Sequence, residues 1–293
     1  MKQWVILSGK GGTGKTTVAA ALAHLAADTC HLVLADVDVD AANLELVLSP
    51  TLETTHEFQS GELAVIDPAR CIACGKCMEA CRFEAIIPGE PAYRVDPVSC
   101  EGCAACTYRC PTGAIQMVTR DAGRWFTSQT RFGLLYHAHL FAGGENSGKL
   151  VTLVKQMARL RALDDKAGLL LVDGPPGIGC PVIAALSGAD LALIVTEATA
   201  AGVHDLERIL DTAAHFRVPV VVLLNKTDLN PAQAETVVAY CAAREIPLLG
   251  RLPYDLTAIK AMSRAEPVTV TDGPLSTALH HAWEALKPYL HPD

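Results

Sequence analysis

A short glycine- and lysine-rich segment near the start restricts the fold of this chain more than any other feature. Ser8-Gly9-Lys10-Gly11-Gly12-Thr13-Gly14-Lys15-Thr16-Thr17 holds the pattern G-x-x-x-x-G-K-T. The apolar run Gln3–Leu7 precedes it, and the Ala- and Leu-rich stretch Thr16–Ala27 follows. A strand, a Gly-rich turn and a helix in that order make an anion cradle. The glycines let backbone N–H groups turn inward, and the helix N-terminus adds its dipole. Lys15 is placed to reach the outer phosphates of a nucleotide and Thr16 to offer its hydroxyl to Mg²⁺. The whole segment Gly9, Lys10, Gly11, Gly12, Thr13, Gly14, Lys15, Thr16 and Thr17 is assigned to nucleotide binding.

The flanking sequence supplies the sheet such a turn needs. Leu32–Ala35, Leu169–Val172, Leu191–Thr196 and Val220–Leu224 are strand-length apolar runs. Helical patterns at Gly202–His215 and Ala232–Arg244 lie among and after them. Strands buried on both sides and separated by helices predict an α/β fold, a mainly parallel sheet with helices on both faces. Two strand ends carry acids. The first reads Asp36-Val37-Asp38-Val39-Asp40, and alternation along an extended strand would place all three carboxylates on one side. That crowding is costly without a cation, which Mg·ATP would supply. The second is Asp173, at the end of Leu169–Val172 and followed by Gly174-Pro175-Pro176-Gly177.

The cysteines interrupt the alternation. Eight of the eleven fall between Cys71 and Cys110. Cys71, Cys74, Cys77 and Cys81 are spaced 3, 3, 4, and Cys100, Cys103, Cys106 and Cys110 repeat that spacing. Matching tails follow, Glu84-Ala85-Ile86 and Gly113-Ala114-Ile115, so the block is a two-fold pseudo-repeat. C-x₂-C-x₂-C-x₃-C-P is the bacterial ferredoxin run, in which the fourth cysteine serves the other cluster. The second run fits it through Pro111; the first has Arg82 where Pro is expected. The expected ligands are Cys71, Cys74, Cys77 and Cys110 for one 4Fe–4S cluster, and Cys100, Cys103, Cys106 and Cys81 for the other. Zinc suits these runs poorly, since its sites pair separated C-x₂-C knuckles. A module this small has little core, so metal would stabilise its fold. The organisation read from sequence is therefore a discontinuous ATPase domain, 1–60 and 119–293, with an inserted ferredoxin-like domain at 61–118. Residues 119–142, with Gly123 and Gly133 between apolar runs, read as antiparallel strands leading back.

With Lys10 inside the phosphate loop, the chain resembles the MinD/ParA superfamily of P-loop ATPases, here with an inserted ferredoxin domain. The resemblance covers essentially the whole length, including Glu145–Val151 and Gly177–Pro181. It implies that Lys10 crosses a dimer interface to the partner's nucleotide, giving an ATP-sandwich homodimer or a heterodimer with a close paralogue. It implies catalytic roles for Lys10, Lys15 and Asp38, with Asp38 organising the attacking water. It implies a Mg²⁺ site at Thr16, Asp36, Asp38 and Asp173. It places Gly177 near the γ-phosphate and Asn225, Pro253 and Asp255 around the base. Asn225-Lys226-Thr227-Asp228 alone would read as guanine recognition; the deviant loop favours ATP over GTP. In the nitrogenase iron protein of this superfamily, a switch II cysteine at the offset of Cys180 from Asp173 holds a cluster at the dimer face. Cys180 reads first as a small buried residue starting a helix, with a place near the dimer face as the alternative.

His137 and His139 alternate on one strand face, read as a polar face beside solvent, or as contacts to a metal or a partner's cofactor. Glu145 and Lys149, four apart, would support a helix start. Leu275–Leu290 is an amphipathic packing helix, and Cys30 and Cys241 read as ordinary buried thiols. The formal net charge of −8 argues against nucleic-acid binding and against a polybasic membrane anchor. No apolar run approaches the ~18 residues of a membrane span. The N-terminus reads as a strand rather than a secretory signal, so the expected location is cytoplasmic, where thiols stay reduced. The expected function is ATP hydrolysis, weak until a partner stimulates it. Its nucleotide state gates electron delivery from two 4Fe–4S clusters to a metalloprotein or metallocofactor-assembly system. The alternatives are a cluster or metal carrier without net electron transfer and, ranked last, a positioning ATPase with structural clusters.

Overall fold

The computed structural model describes residues 1–141 and 146–290. Glu145 lies outside the described residues. No helix among them is long and apolar enough to cross a membrane. The chain divides into two compact units.

The first unit holds Met1–Thr55, Trp125–His139 and Ser147–Asp293. It opens with β1 (Lys2–Ser8), α1 (Lys15–Ala27), β2 (Leu32–Asp36) and α2 (Leu44–Leu48), and β3 (Thr51–Ile66) begins in it. Later come β7 (Leu134–Leu140), α5 (Ser147–Asp164), β8 (Leu169–Pro176), α6 (Cys180–Leu186), β9 (Leu191–Glu197) and α7 (Ala200–His215). They are followed by β10 (Val220–Asn225), α8 (Pro231–Ala243), β11 (Leu248–Arg251), α9 (Thr257–Met262) and α10 (Pro274–Leu286). With β6 (Ile115–Gln129), the sheet order is β11-β10-β9-β1-β8-β2-β7-β6-β3. Every pairing from β11 through to β7 is parallel.

Alternate residues of the central strands face opposite ways, and both sets are buried, as continuous apolar runs require. Trp4, Ile6, Leu34, Leu171 and Leu193 pack with α1 and α10, whereas Val5, Leu7 and Val172 are equally buried on the other side. Trp4 meets Trp283 of α10 edge to face, ring centroids 6.0 Å apart. The parallel α/β fold is as read from the sequence.

The second unit holds His56–Arg124 and the described part of Leu140–Asn146. It contains α3 (Lys76–Ala80), β4 (Ile86–Ile87), β5 (Arg94–Val95) and α4 (Ala105–Arg109). The chain enters it inside β3 and leaves it inside β6. Neither border coincides with a turn signal, so 61 and 118 do not mark them. Two details differ from the sequence reading. Thr51–Ile66 is one long strand, unmarked because its residues are mostly polar and exposed. Gly123 lies within continuous β6 instead of in a turn; the turn falls at Thr130–Gly133, where the Thr130 N–H donates to the Gly133 carbonyl.

The pseudo-repeat is visible in the backbone. Three pairs of equivalent positions, Ala73 with Gly102, Gly75 with Ala104 and Glu84 with Gly113, are all left-handed, with φ between 53° and 74°. The core of this unit is small: Ala64, Ala85, Ile86 and Ile115 together with Cys77, Cys100 and Cys106.

Candidate functional site

The phosphate loop runs from the end of β1 into the first turn of α1, with Gly12 and Gly14 at positive φ. One face of a cleft of about 610 Å³ is formed by Gly11–Thr17, and Asp38, Asn43 and Pro176 lie around it. That volume suits a nucleotide-sized ligand. A second cavity, about 140 Å³, shares Gly14 and Thr17 with the cleft and brings Asn225, Pro253 and Asp255 together. Asn225 also braces the loop: its amide donates to the Thr13 carbonyl at 2.8 Å.

Lys15 sits where three carboxylates meet. Its Nζ donates to Asp173 Oδ1 at 2.6 Å and lies 3.6 Å from Asp38 Oδ2. Burial by itself would lower the Lys15 pKa, but the charges of Asp173, Asp36 and Asp38 outweigh it and raise it. Asp36 is fully buried, and burial followed by the Asp173 charge drives its carboxyl well above the usual range. Burial likewise pushes Asp38 up to about 6, with Lys15 opposing and Asp173 adding to the rise. Three acids facing one lysine leave an excess of negative charge in a low-dielectric site. Either protons or a cation must balance it. Asp173 Oδ2 is buried with no hydrogen-bond partner among the described residues, as an oxygen set aside for a cation would be. The donor set therefore fits Mg²⁺.

The structure corrects the expected acidic face. β2 ends at Asp36, so Asp36, Asp38 and Asp40 do not share one strand side. Asp36 itself turns the chain: its oxygens accept the N–H groups of Asp38 (3.1 Å) and Leu44 (3.0 Å). Asp40 is left exposed in the turn. Gly9 and Lys10 are not among the residues lining the cleft. Lys10 pairs with Glu197, whose other oxygen holds Lys226 at 3.1 Å. Burial would raise the Glu197 pKa, but the Lys10 and Lys226 hydrogen bonds lower it overall. Nothing in the sequence motif pointed to Glu197.

The eight cysteines gather in the second unit as two sets. Cys71, Cys74, Cys77 and Cys110 line one small cavity, of about 20 Å³. Cys81, Cys100, Cys103 and Cys106 line another of the same size. The cause is local. Cys77 and Cys106 lie within α3 and α4, and the chain turns extended at the helix-ending Cys81 and Cys110 (ψ 111° and 113°). Each fourth thiol thereby leaves its own run. Cys110 Sγ accepts the Ala114 N–H at 3.3 Å. Burial raises the Cys77 and Cys106 thiols. All eight are free thiols, and no three of their sulfurs lie within 4.8 Å of one another as a single tetrahedral ion would need, so the two sets fit the wider cubane rather than one ion.

Two further readings are corrected. Cys180 is exposed at the start of α6, not buried. His137 is buried, and it and the half-exposed His139 both face Glu45, so this is not a solvent-facing strand surface. Cys241 is buried and Cys30 partly so.

The comparisons with known proteins follow this geometry. Residues 4–268 match the model of the CobQ/CobB/MinD/ParA nucleotide binding domain. An uncharacterized protein of Methanocaldococcus jannaschii is 31% identical over 97% of this chain and 96% of its own length. A cytosolic Fe-S cluster assembly factor Nubp1 homolog of Drosophila willistoni is 24% identical over 94% of this chain and 78% of its own. Among solved structures, the septum site-determining protein MinD of Pyrococcus horikoshii, complexed with Mg-ADP, shares the fold. Its TM-score is 0.62 and its identity 17%, with 100% of this chain and 99% of that one covered. The chain belongs to the CobQ/CobB/MinD/ParA nucleotide-binding family and is a P-loop ATPase of the MinD/ParA kind.

Proposed function

We propose that this ATPase is an iron–sulfur protein whose nucleotide state gates electron delivery from two 4Fe–4S clusters to a partner metalloprotein or metallocofactor-assembly system. The observation that carries the reading is the pair of cavities, each lined by four cysteines drawn from both runs. Cys71, Cys74, Cys77 and Cys110 would hold one cluster, and Cys81, Cys100, Cys103 and Cys106 the other. Clusters so ligated supply one-electron chemistry, at potentials set by their surroundings.

The ATPase chemistry is positioning and electrostatics. The N–H groups of Gly11–Thr17, the part of the loop that lines the cleft, would cradle the phosphates, and Lys15 would neutralise their charge. Thr16 and the uncommitted oxygen of Asp173 would hold Mg²⁺, with Asp36 and Asp38 adding negative charge. Asp38 orients the attacking water. Asn225, Pro253 and Asp255 border the adenine. In an ATP-sandwich dimer Lys10 would leave Glu197 for the partner's nucleotide. The chain departs for the cysteine unit after Asp38 and returns ahead of Asp173, so both nucleotide-sensing segments are covalently tied to that excursion.

A second reading, a cluster carrier or maturation scaffold without net electron transfer, draws on the similarity to the relative named as a cytosolic Fe-S cluster assembly factor. One anaerobic experiment separates the two. Midpoint potentials are recorded without nucleotide, with ADP and with ATP, beside transfer of iron to an apo-ferredoxin. Gating predicts a nucleotide-dependent potential and retained clusters. Unchanged potentials together with ATP-dependent loss of iron to the acceptor would establish the carrier instead.

A further inference from the structure

Outside the cleft and the cysteine cavities, the described residues hold one further group of side chains with metal-ligand chemistry, Glu45, His137 and His139. Each carboxylate oxygen of Glu45 faces a different imidazole. Oε2 lies 2.7 Å from His137 Nδ1, and Oε1 lies 3.1 Å from His139 Nε2. The two histidines share a face of β7 because they alternate along it. Glu45 is fixed from the other side. Its helix α2 is pinned at Leu44, whose N–H donates to buried Asp36.

The state of His137 distinguishes this group from a simple hydrogen-bonded trio. Its Nδ1 is buried and faces Glu45 Oε2 at 2.7 Å, with no well-aligned N–H donor geometry to any acceptor among the described residues. Its Nε2 is 2.9 Å from the hydroxyl of Ser128, itself 1% exposed. That contact can take the Nε2 proton and leave the Nδ1 lone pair free to bind a metal. Histidine ligands are oriented in this way when their second nitrogen is engaged. The Phe126 ring stacks on His137 at 5.0 Å and meets His139 edge-on at 5.6 Å, which walls the site on one side. The side chain of His139 is 43% exposed, so the opposite side is open.

We propose that Glu45, His137 and His139 bind one divalent transition-metal ion of the zinc class. Two imidazole nitrogens and one carboxylate suit Zn(II) and its neighbours, and three protein ligands leave a position for water or an exogenous ligand. The donor atoms lie within 4.8 Å of one another, and rotation of the half-exposed His139 would draw them in around one ion. This site is separate from the eight cysteines and does not rest on their being loaded.

The test uses the anaerobically purified full chain with its clusters in place, titrated with Co(II) and then Zn(II). The expected result is one equivalent of Co(II) with ligand-field absorption and no sulfur-to-cobalt charge transfer, displaced by Zn(II). X-ray absorption at the zinc edge then shows imidazole scattering. His139→Ala and Glu45→Gln lose that equivalent with iron content unchanged. Ser128→Ala weakens it about 10–100-fold. Co(II) uptake by His139→Ala equal to the parent, or a cobalt–thiolate spectrum, would overturn the assignment.

Discussion

The two units of this chain are held together by different means. The first is built on large apolar side chains: Trp4, Ile6, Leu22, Leu34, Leu135 and Leu169 are all essentially inaccessible to water. Each such side chain contributes about 1.5–3 kcal/mol on burial, and the central strands supply them on both faces. The core cluster of the second unit buries Ala64, Ala85, Ile86 and Ile115 with three cysteines, and Leu63, Ile66, Tyr93, Val95 and Met117 are only partly buried against it. Ile72, Phe83, Val98 and Tyr108 stay exposed there. A unit with so little apolar burial needs a covalent or metal staple to offset its chain entropy. The difference is that one polypeptide holds a unit with a large apolar core and another whose core is small and rich in cysteine.

The strongest way to break that comparison is to remove the metal. Anaerobic chelation of iron is expected to unfold the second unit entirely. Hydrogen exchange should then show protection lost across Cys71–Cys110 and retained in β1, β8 and β9. Retained protection in both units would show that the cysteine unit does not depend on metal.

Lys15→Ala tests the converse. Hydrolysis is expected to fall at least ~100-fold, because a group placed where transition-state charge develops is lost. Three carboxylates would also lose their buried partner, a change worth about 3–5 kcal/mol of stability to the first unit. Iron content should not change. Phosphate release, a urea midpoint and an iron count check the three statements, and iron lost along with hydrolysis would join what the comparison separates.

How much of this was legible in the sequence follows the range of the interactions. The phosphate loop is local, and strand, turn and helix are all read within Gln3–Ala27. The cysteine pairing was legible because a helix of fixed length ends at each fourth thiol. The turn after Asp36 was not legible. It exists because a buried carboxylate accepts the Leu44 amide eight residues on, a contact no strand periodicity encodes. Glu45 beside His137 and His139 was missed for the same reason: α2 and β7 are distant in sequence and meet only in the fold. The exposure of Cys180 was not legible either, since the side of α6 that faces solvent is set by the packing of the fold.

Within the second unit the two pseudo-repeats can be set against each other. Gly102 and Gly75 are both left-handed, and their counterparts are alanines, Ala73 and Ala104. Conformation alone therefore does not forbid a side chain. Space does at one of them: a Cβ on Gly102 would lie 2.4 Å from the backbone carbonyl oxygen of Glu62, while one on Gly75 would meet only the Tyr93 hydroxyl at 3.2 Å. Gly102→Ala is expected to cost about 1–3 kcal/mol beyond Gly75→Ala, because backbone must move. Thermal loss of the cluster absorbance, compared for the two variants, measures it. Equal midpoints would mean that the repeat containing Gly102 can shift as freely as the other.

The smallest effect concerns charge in the first unit. The Asp38 carboxyl titrates near 6 in the folded chain, raised by burial against the pull of Lys15, and near 3.9 in an unfolded one. Between those values the folded state holds more protons than the unfolded state, so stability declines as pH rises through that window. Below it both states are protonated and the penalty is absent; above about pH 6 it is fully present. Asp38→Asn removes the penalty. Without nucleotide or Mg²⁺, the variant should gain on the parent between about pH 5 and about pH 7.5, by on the order of 1 kcal/mol after solvent screening. Urea midpoints followed by circular dichroism give the difference directly. With Mg·ATP bound, the ordering should reverse, since a carboxylate facing a cation is stabilised in its charged form. A variant no more stable than the parent at the higher pH would mean that the apolar frame absorbs the buried charge of Asp38.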